Sequence, residues 1–243
     1  MNIFSRLLMI GLGLLLLWQS IIWCWSLPPY ILPSPWNVVL ALYQQAGLLA
    51  THAIPTLIET SVGFILGILL GCFAAILIVF FKPLKNWFLP LLIISQAIPT
   101  FAIAPLLVIW LGYGMASKIA AAVLMIFFPI ASAFHDGLTR TEAGWLDLAK
   151  TMNSSKWRLF CTIRIPAALP TLASGLRIAA VAAPIGAIIG EWVGSGSGLG
   201  YLMVNANARM QIDLMFAALF VIILMALALY AGVDTLLRKL IWW

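Results

Sequence analysis

The chain has 243 residues, of which 64% are hydrophobic and only 8% are charged, and its formal net charge is +6. An ordinary soluble domain carries about 25% charged residues, so this composition excludes one and indicates a membrane protein. It also excludes a nucleic-acid-binding protein, because the chain lacks the polar residues needed to build an exposed basic face.

The first apolar run covers residues 7–25 and follows the basic residue Arg6. A basic start and an apolar core are also found in signal peptides, but no A-x-A-like cleavage site follows here. Trp18, Trp23 and Trp25 are typical of an aromatic anchor at the membrane interface. We therefore predict an uncleaved first span.

Residues 26–55 contain four prolines before Trp36 and no lysine or arginine. Proline stiffens an extended connection, so we predict that this segment leaves the membrane and continues as a surface helix over residues 36–53. The chain then divides into a first unit, residues 1–54, and a core of five further spans, residues 55–243.

The second predicted span covers residues 56–81, where Glu59, Gly63, Gly67 and Gly71 recur every four residues. This spacing places them on one helix face, and small residues on such a face let two helices approach closely. A chance pattern in a glycine-rich chain is the alternative. Glu59 lies near the expected outer end, where water could solvate it.

The third predicted span, residues 87–111, is interrupted by the segment S-Q-A-I-P-T-F-A-I-A-P. Proline frees backbone carbonyls that lipid cannot satisfy, so the break should face protein or a water-filled path. Ser95, Gln96 and Pro99 are therefore candidates for the lining of a translocation path. For Gln96, an interhelical hydrogen bond is an equally good interpretation.

The last three predicted spans cover residues 119–134, 171–193 and 214–237. Arg177 lies inside the fifth of the six spans and should be near an interface or paired, because an isolated charge in a membrane is costly. Glu191 lies towards the outer end of this span and is our fourth path candidate. The glycine cluster after it lacks the G-K-[ST] ending of a nucleotide-binding loop, so we predict an outer loop that re-enters near the path.

The basic residues between the spans are distributed unequally. Only Lys118 and Arg209 fall on one side of the membrane, and ten fall on the other: Arg6, Lys82, Lys85, Arg140, Lys150, Lys156, Arg158, Arg164, Arg238 and Lys239. The positive-inside rule then predicts six spans with both termini in the cytoplasm, together with the polar stretch at residues 137–170.

That polar stretch contains D-L-A-x-x-x-N-x9-I-x-I-P, from Asp147 to Pro166. The pattern resembles the E-A-A-x-x-x-G-x9-I-x-L-P signature of the permeases of ATP-binding-cassette (ABC) importers, with the same spacing. The residues that differ are Asp147, Leu148, Asn153 and Ile165. Asp147 keeps the negative charge, and Asn153 suits a turn between two short helices because asparagine tolerates the left-handed conformation.

Other segments extend the resemblance over most of the chain. Residues 96–118, 175–179 and 191–203 are similar to permeases of the nitrate, sulfonate and taurine group. Residues 205–219 (N-A-N-A-R-M-Q-I-D-L-M-F-A-A-L) look most like permeases for thiamine-precursor pyrimidines such as hydroxymethylpyrimidine.

The resemblance implies an all-α inner-membrane protein with the type I ABC importer permease fold. It implies a permease homodimer, two cytoplasmic ATPases that hold ATP and Mg²⁺, and an external solute-binding protein, with no cofactor on this chain. A coupling helix between spans four and five would dock on the ATPase. The coupling residues carried over by the motif are Asp147, Leu148, Ala149, Asn153, Ile163 and Pro166.

Two other classes of membrane protein fit the sequence less well. A secondary transporter would have inverted repeats and several ionisable pairs in the membrane, and few ionisable residues lie in these spans. An intramembrane enzyme would need a nucleophile and base or metal ligands. His52 and His135 lie near span ends, the three cysteines are far apart, and no H-E-x-x-H or G-x-S-x-G motif is present, so we predict no catalytic or metal site.

Overall fold

The computed structural model describes residues 3–81, 90, 94 and 98–241. In this part the chain consists of helices joined by short loops. In chain order the helices are α1 (Ile3–Trp25), α2 (Pro35–Gln44), α3 (Ala46–Phe80), α4 (Thr100–Leu111), α5 (Met115–Thr139), α6 (Ala143–Thr151), α7 (Lys156–Leu159), α8 (Ile165–Gly194), α9 (Leu199–Ala208) and α10 (Ile212–Leu240). A π-helical turn, Phe160–Arg164, joins α7 to α8 without a break.

Within the described residues, four helices are long and apolar enough to cross a bilayer: Ala46–Phe80, Met115–Thr139, Lys156–Gly194 and Ile212–Leu240. They correspond to the second, fourth, fifth and sixth predicted spans. The apolar part of α1, Met9–Trp25, and helix α4 are shorter, and most of the predicted third span before α4 lies outside the described residues. The count of six spans therefore stays a prediction.

Helix α3 begins earlier than the sequence predicted. It starts at Ala46 and passes through Pro55, whereas we predicted a start at Thr56 after a separate surface helix. Proline removes one helical hydrogen bond, but the first turns of α3 are held by apolar packing, since Leu49 is buried against Val38 and Leu202. The predicted boundary between residues 54 and 55 consequently falls inside one helix.

Helix α5 is packed between α3 and α8. A Cβ atom on Gly63 of α3 would lie 2.7 Å from the Cβ of Ala122, and one on Gly186 of α8 would lie 2.6 Å from the Cα of the same residue. Both distances are too short for a real side chain. The predicted small-residue face of the second span is thus confirmed, and it brings α3, α5 and α8 into one tight layer.

An ion pair joins α8 to α10. The guanidinium Nε of Arg177 lies 2.7 Å from Asp234 Oδ1, and Arg238 Nε lies 2.8 Å from Asp234 Oδ2. The prediction that Arg177 is paired is confirmed. Because Arg238 is largely exposed, the contact to the half-buried Arg177 is the one that contributes to helix packing.

Candidate functional site

The polar stretch forms two short helices separated by a turn. Helix α6 ends at Thr151, and α7 begins at Lys156 with the Ser155 side chain accepting a hydrogen bond from the Arg158 amide. Between them Asn153 has φ +52°, the left-handed conformation predicted for this position. The asparagine that replaces glycine in the motif therefore fits the local backbone.

The predicted coupling residues lie in two places, on or just after α6 and at the point where the polar stretch joins α8. Asp147 and Leu148 are exposed on α6, and Ala149 on the same helix is buried. Leu148 is 59% exposed, so the bulkier side chain enlarges the exposed surface of α6. Together with the exposed residues Trp145 of α6 and Met152, which directly follows the helix, it forms an apolar surface beside a carboxylate. Such a surface is suited to binding another protein.

The remaining motif residues lie where the stretch joins the membrane helices. Ile163 is in the π-helical turn, and Pro166 occupies the first turn of α8. Both are half-buried and line a cavity of about 450 Å³ together with Arg140 and Trp145. The predicted fifth span was expected to start after Pro170, but the helix runs continuously from Lys156 to Gly194. Just before Pro166 the helix has a π-helical turn, in which the Ile165 amide donates to the carbonyl of Phe160, five residues earlier.

At the other end of the bundle, a buried group of polar side chains surrounds the amino end of α9. We call His52, Thr56, Glu59, Lys118 and Glu191 the polar cluster. It draws on three long helices, with the first three residues from α3, Lys118 from α5 and Glu191 from α8. Glu59 and Glu191 are each only 1% exposed.

Three successive backbone amides at the start of α9 donate to the polar cluster. Gly198 N–H donates to His52 Nδ1 at 3.1 Å, and Leu199 N–H donates to Thr56 Oγ1 at 2.8 Å. Gly200 N–H donates to Glu191 Oε2 at 2.5 Å. The first amides of a helix have no partner within the helix, and lipid offers none. The polar cluster therefore satisfies a helix end that is buried in the bundle.

Electrostatics add to these hydrogen bonds. Lys118 Nζ lies 3.1 Å from Glu59 Oε1, with both side chains at least 93% buried, and Glu191 is also within electrostatic range of the ammonium group. Glu191 further lies at the positive end of the α9 dipole, which favours a carboxylate there. The interpretation of Glu59 as a solvated residue is wrong. Lys118, which we predicted to lie between spans on the outer side, belongs to α5.

The four predicted path residues are found in different situations. Ser95 and Gln96 lie outside the described residues. Pro99 caps the start of α4 and lines a cavity of about 580 Å³ with Met125 and Ile189. Glu191 is buried, and both its oxygens are engaged, by Thr56 at 2.6 Å and by Gly200. A role in the path remains a prediction for all four residues.

Sequence reasoning did not identify His52, Thr56 or Lys118 as members of the polar cluster. Two signals pointed to the region, namely carboxylates inside apolar spans and the glycine cluster that follows Glu191. Gly198 has φ +107°, and a Cβ there would overlap the Glu191 carboxylate. Because glycine has no side chain, the loop at Gly198 can approach the Glu191 carboxylate. Among the described residues, no group of three or more His, Cys, Asp or Glu is arranged to hold a metal ion.

The sequence matches a known protein family over most of its length. The profile of the family described as binding-protein-dependent transport system inner membrane component matches residues 67–241. A probable ABC transporter permease protein of Haemophilus influenzae is 54% identical over 241 residues, which are 99% of this chain and 98% of that protein. The formylaminopyrimidine transport permease protein ThiX of Halalkalibacterium halodurans is 37% identical over 216 residues, covering 88% of this chain and 86% of that protein.

A solved structure is similar in fold. One chain in the crystal structure of an amino acid ABC transporter with histidines superimposes with a TM-score of 0.65. The alignment has 17% sequence identity and covers 83% of this chain and 96% of that chain. At this level of identity the likeness concerns the fold alone.

Proposed function

The chain belongs to the family of binding-protein-dependent transport system inner membrane components, as an ABC importer permease of the sulfonate- and taurine-like group, and from this premise we propose that it imports a thiamine-precursor pyrimidine. One observation carries the choice of substrate: the 37% identity to a permease named for formylaminopyrimidine, over 88% of this chain. The segment at residues 205–219 supports it by its resemblance to permeases for hydroxymethylpyrimidine. The alternative cargo is a sulfonate, taurine or nitrate.

We propose six spans with both termini and the polar stretch in the cytoplasm. The charge asymmetry supports this orientation, and the position of Lys118 strengthens it. Because Lys118 is buried against Glu59, it is a packing residue and no longer counts as an outer-loop charge. Arg209 is then the one basic residue assigned outside, against ten assigned inside.

The energy source in this proposal is a pair of ATPases that bind the α6–α7 segment of each permease in a homodimer. The exposed apolar side chains of α6 beside Asp147 support this docking role. The glycine cluster at residues 194–200 lacks the ending of a nucleotide-binding loop, so ATP hydrolysis is assigned to the partner. An external solute-binding protein would deliver the pyrimidine.

A second candidate function is that of a secondary transporter. The observation in its favour is the buried Glu59–Lys118 pair beside Glu191, since ionisable groups inside a membrane are often part of ion pathways. The engagement of these groups with the start of α9 favours a packing role instead.

Reconstitution tests the proposal directly. The permease, its co-expressed ATPase and its solute-binding protein are placed in liposomes, and uptake of radiolabelled hydroxymethylpyrimidine, formylaminopyrimidine and taurine is measured with and without ATP. We expect ATP-dependent uptake of a pyrimidine. Uptake driven by an ion gradient without ATP would support the secondary transporter, and ATP-dependent uptake of taurine alone would overturn the choice of substrate.

A further inference from the structure

Three aromatic rings meet where the polar stretch joins the membrane helices. Phe80, the last residue of α3, lies 4.6 Å from Phe160 of the π-helical turn in an edge-to-face arrangement. Trp157 of α7 lies 6.1 Å from Phe80 and 5.9 Å from Phe160, measured between ring centroids. Each pair is within the range in which aromatic rings attract one another. We call these three residues the aromatic joint.

The aromatic joint connects the docking segment to the rest of the bundle. Within the described part of the chain, α6 has no extensive packing against another helix, and α7 is held to the bundle by the contacts of Trp157 with Phe80 and Phe160. Phe160 is 4% exposed and packs with residues of three long helices, Ala75 of α3, Phe134 of α5 and Ala168 of α8. A displacement of α6 and α7 therefore reaches the bundle through this residue and its two ring partners.

The backbone at the joint differs from an ordinary α-helix. Over Phe160–Arg164 the turns are wider, with a hydrogen bond from the Ile165 amide to the carbonyl of Phe160. Pro166 follows and supplies no amide donor. Such π-helical turns are often found at functional positions in helices. Here the turn lies between the docking segment and α8, at the residue whose ring meets Phe80 and Trp157.

Helix α3 extends from the joint to the polar cluster. Thr56 and Phe80 lie on the same continuous helix, about 36 Å apart at the usual rise per residue. At the far end Thr56 is bonded to Glu191 of α8 and to the amide of Leu199 in α9. A rigid helix fixed at both ends can transmit displacement from one end to the other.

We propose that Phe80, Trp157 and Phe160 are positioning residues that transmit movement of the ATPase-docking segment to α3, and through α3 to the polar cluster. This inference rests on the proposed function as an ATP-driven importer. It predicts that loss of the joint separates ATP hydrolysis from transport, while the complex remains assembled.

The experiment uses the reconstituted complex and measures the substrate imported per ATP hydrolysed. Trp157→Ala and Phe80→Ala should each lower this ratio by about fivefold or more, because each removes two of the three ring pairs and the loss of one pair corresponds to an equilibrium factor of about five. Trp157→Phe keeps a ring in place and should restore most of the ratio. Phe81→Ala is the matched control, because Phe81 is the exposed neighbour of Phe80 and has no ring partner among the described residues.

The possible results distinguish a failure of the aromatic-joint proposal from a failure of the proposed function. The amount of ATPase that copurifies with each variant shows whether the complex is intact. An unchanged ratio in both alanine variants would overturn the transmitting role of the aromatic joint. An equal fall in Phe81→Ala would overturn it too. Neither result would contradict the proposed function. Absence of ATP-driven uptake in the wild-type complex would overturn the proposed function and the joint with it.

Discussion

The hydroxyl oxygen of Thr56 lies 2.6 Å from the Glu191 carboxylate, although 135 residues separate the two in the chain. The same oxygen accepts the Leu199 amide, so one buried hydroxyl joins α3, α8 and α9. A threonine hydroxyl can donate one hydrogen bond and accept others, and this position uses both capacities.

Replacement of Thr56 should reveal the contribution of this hydroxyl. Thr56→Val keeps the shape but leaves the Leu199 amide and Glu191 short of a partner, which should cost about 1–3 kcal/mol of stability. Thr56→Ser keeps the hydroxyl and should cost much less. The midpoint of thermal unfolding in detergent micelles measures the difference. Equal midpoints for the two variants would show that the hydroxyl adds nothing to stability.

Two neighbouring glycines should respond differently to alanine. At Gly198, φ is +107° and a Cβ would overlap the Glu191 carboxylate, whereas no atom lies within 4 Å of a Cβ on Gly196. Gly198→Ala should therefore displace the start of α9 and lower the thermal midpoint by several degrees at least, and Gly196→Ala should leave it nearly unchanged. Strain at such a position costs about 1–3 kcal/mol, before the overlap is counted. A normal midpoint for Gly198→Ala would contradict the position of Glu191.

The sequence was sufficient to predict features that depend on local composition. Four apolar helices of spanning length coincide with predicted spans, because the cost of exposing backbone to lipid leaves few alternatives, although two of them begin well before the predicted start. The left-handed turn at Asn153 was predictable for a similar reason, since few residue types tolerate that conformation.

Features that depend on the packing of distant helices could not be predicted. The start of α3 was misplaced because Pro55 normally ends or kinks a helix, and nothing in the sequence reveals that Leu49 is packed beneath α9. Likewise, Glu191 was predicted to be a path residue, and Glu59 was interpreted as a solvated one. Their partners Lys118 and Thr56 became visible only when α3, α5 and α8 were brought together.

The buried ion pair between Lys118 and Glu59 predicts that a second substitution can restore the stability lost by a first one. Lys118→Met leaves the Glu59 carboxylate buried without its partner, which should cost about 3–5 kcal/mol of stability. Adding Glu59→Gln removes the unpaired charge, so the double variant should recover most of the loss. Arg209→Met, at an exposed residue, is the control. The prediction fails if the double variant unfolds at the same temperature as Lys118→Met.

Charge reversal on α6 tests the docking role of the polar stretch. Asp147 is exposed on α6, and Asp147→Lys places a positive charge where the ATPase would meet a carboxylate. We expect the variant to remain in the membrane, which the amount of permease in the membrane fraction checks. Loss of one close interfacial charge pair should reduce the copurifying ATPase and the ATP-dependent uptake by about tenfold or more. Asp213→Lys is the matched control, because Asp213 is also an exposed helical carboxylate but lies at the opposite end of the bundle, in the first turn of α10. If Asp147→Lys binds the ATPase and transports as the wild type does, at equal expression, α6 is not the docking element. If both variants lose uptake but keep the ATPase, charge reversal acts on transport by a route other than docking.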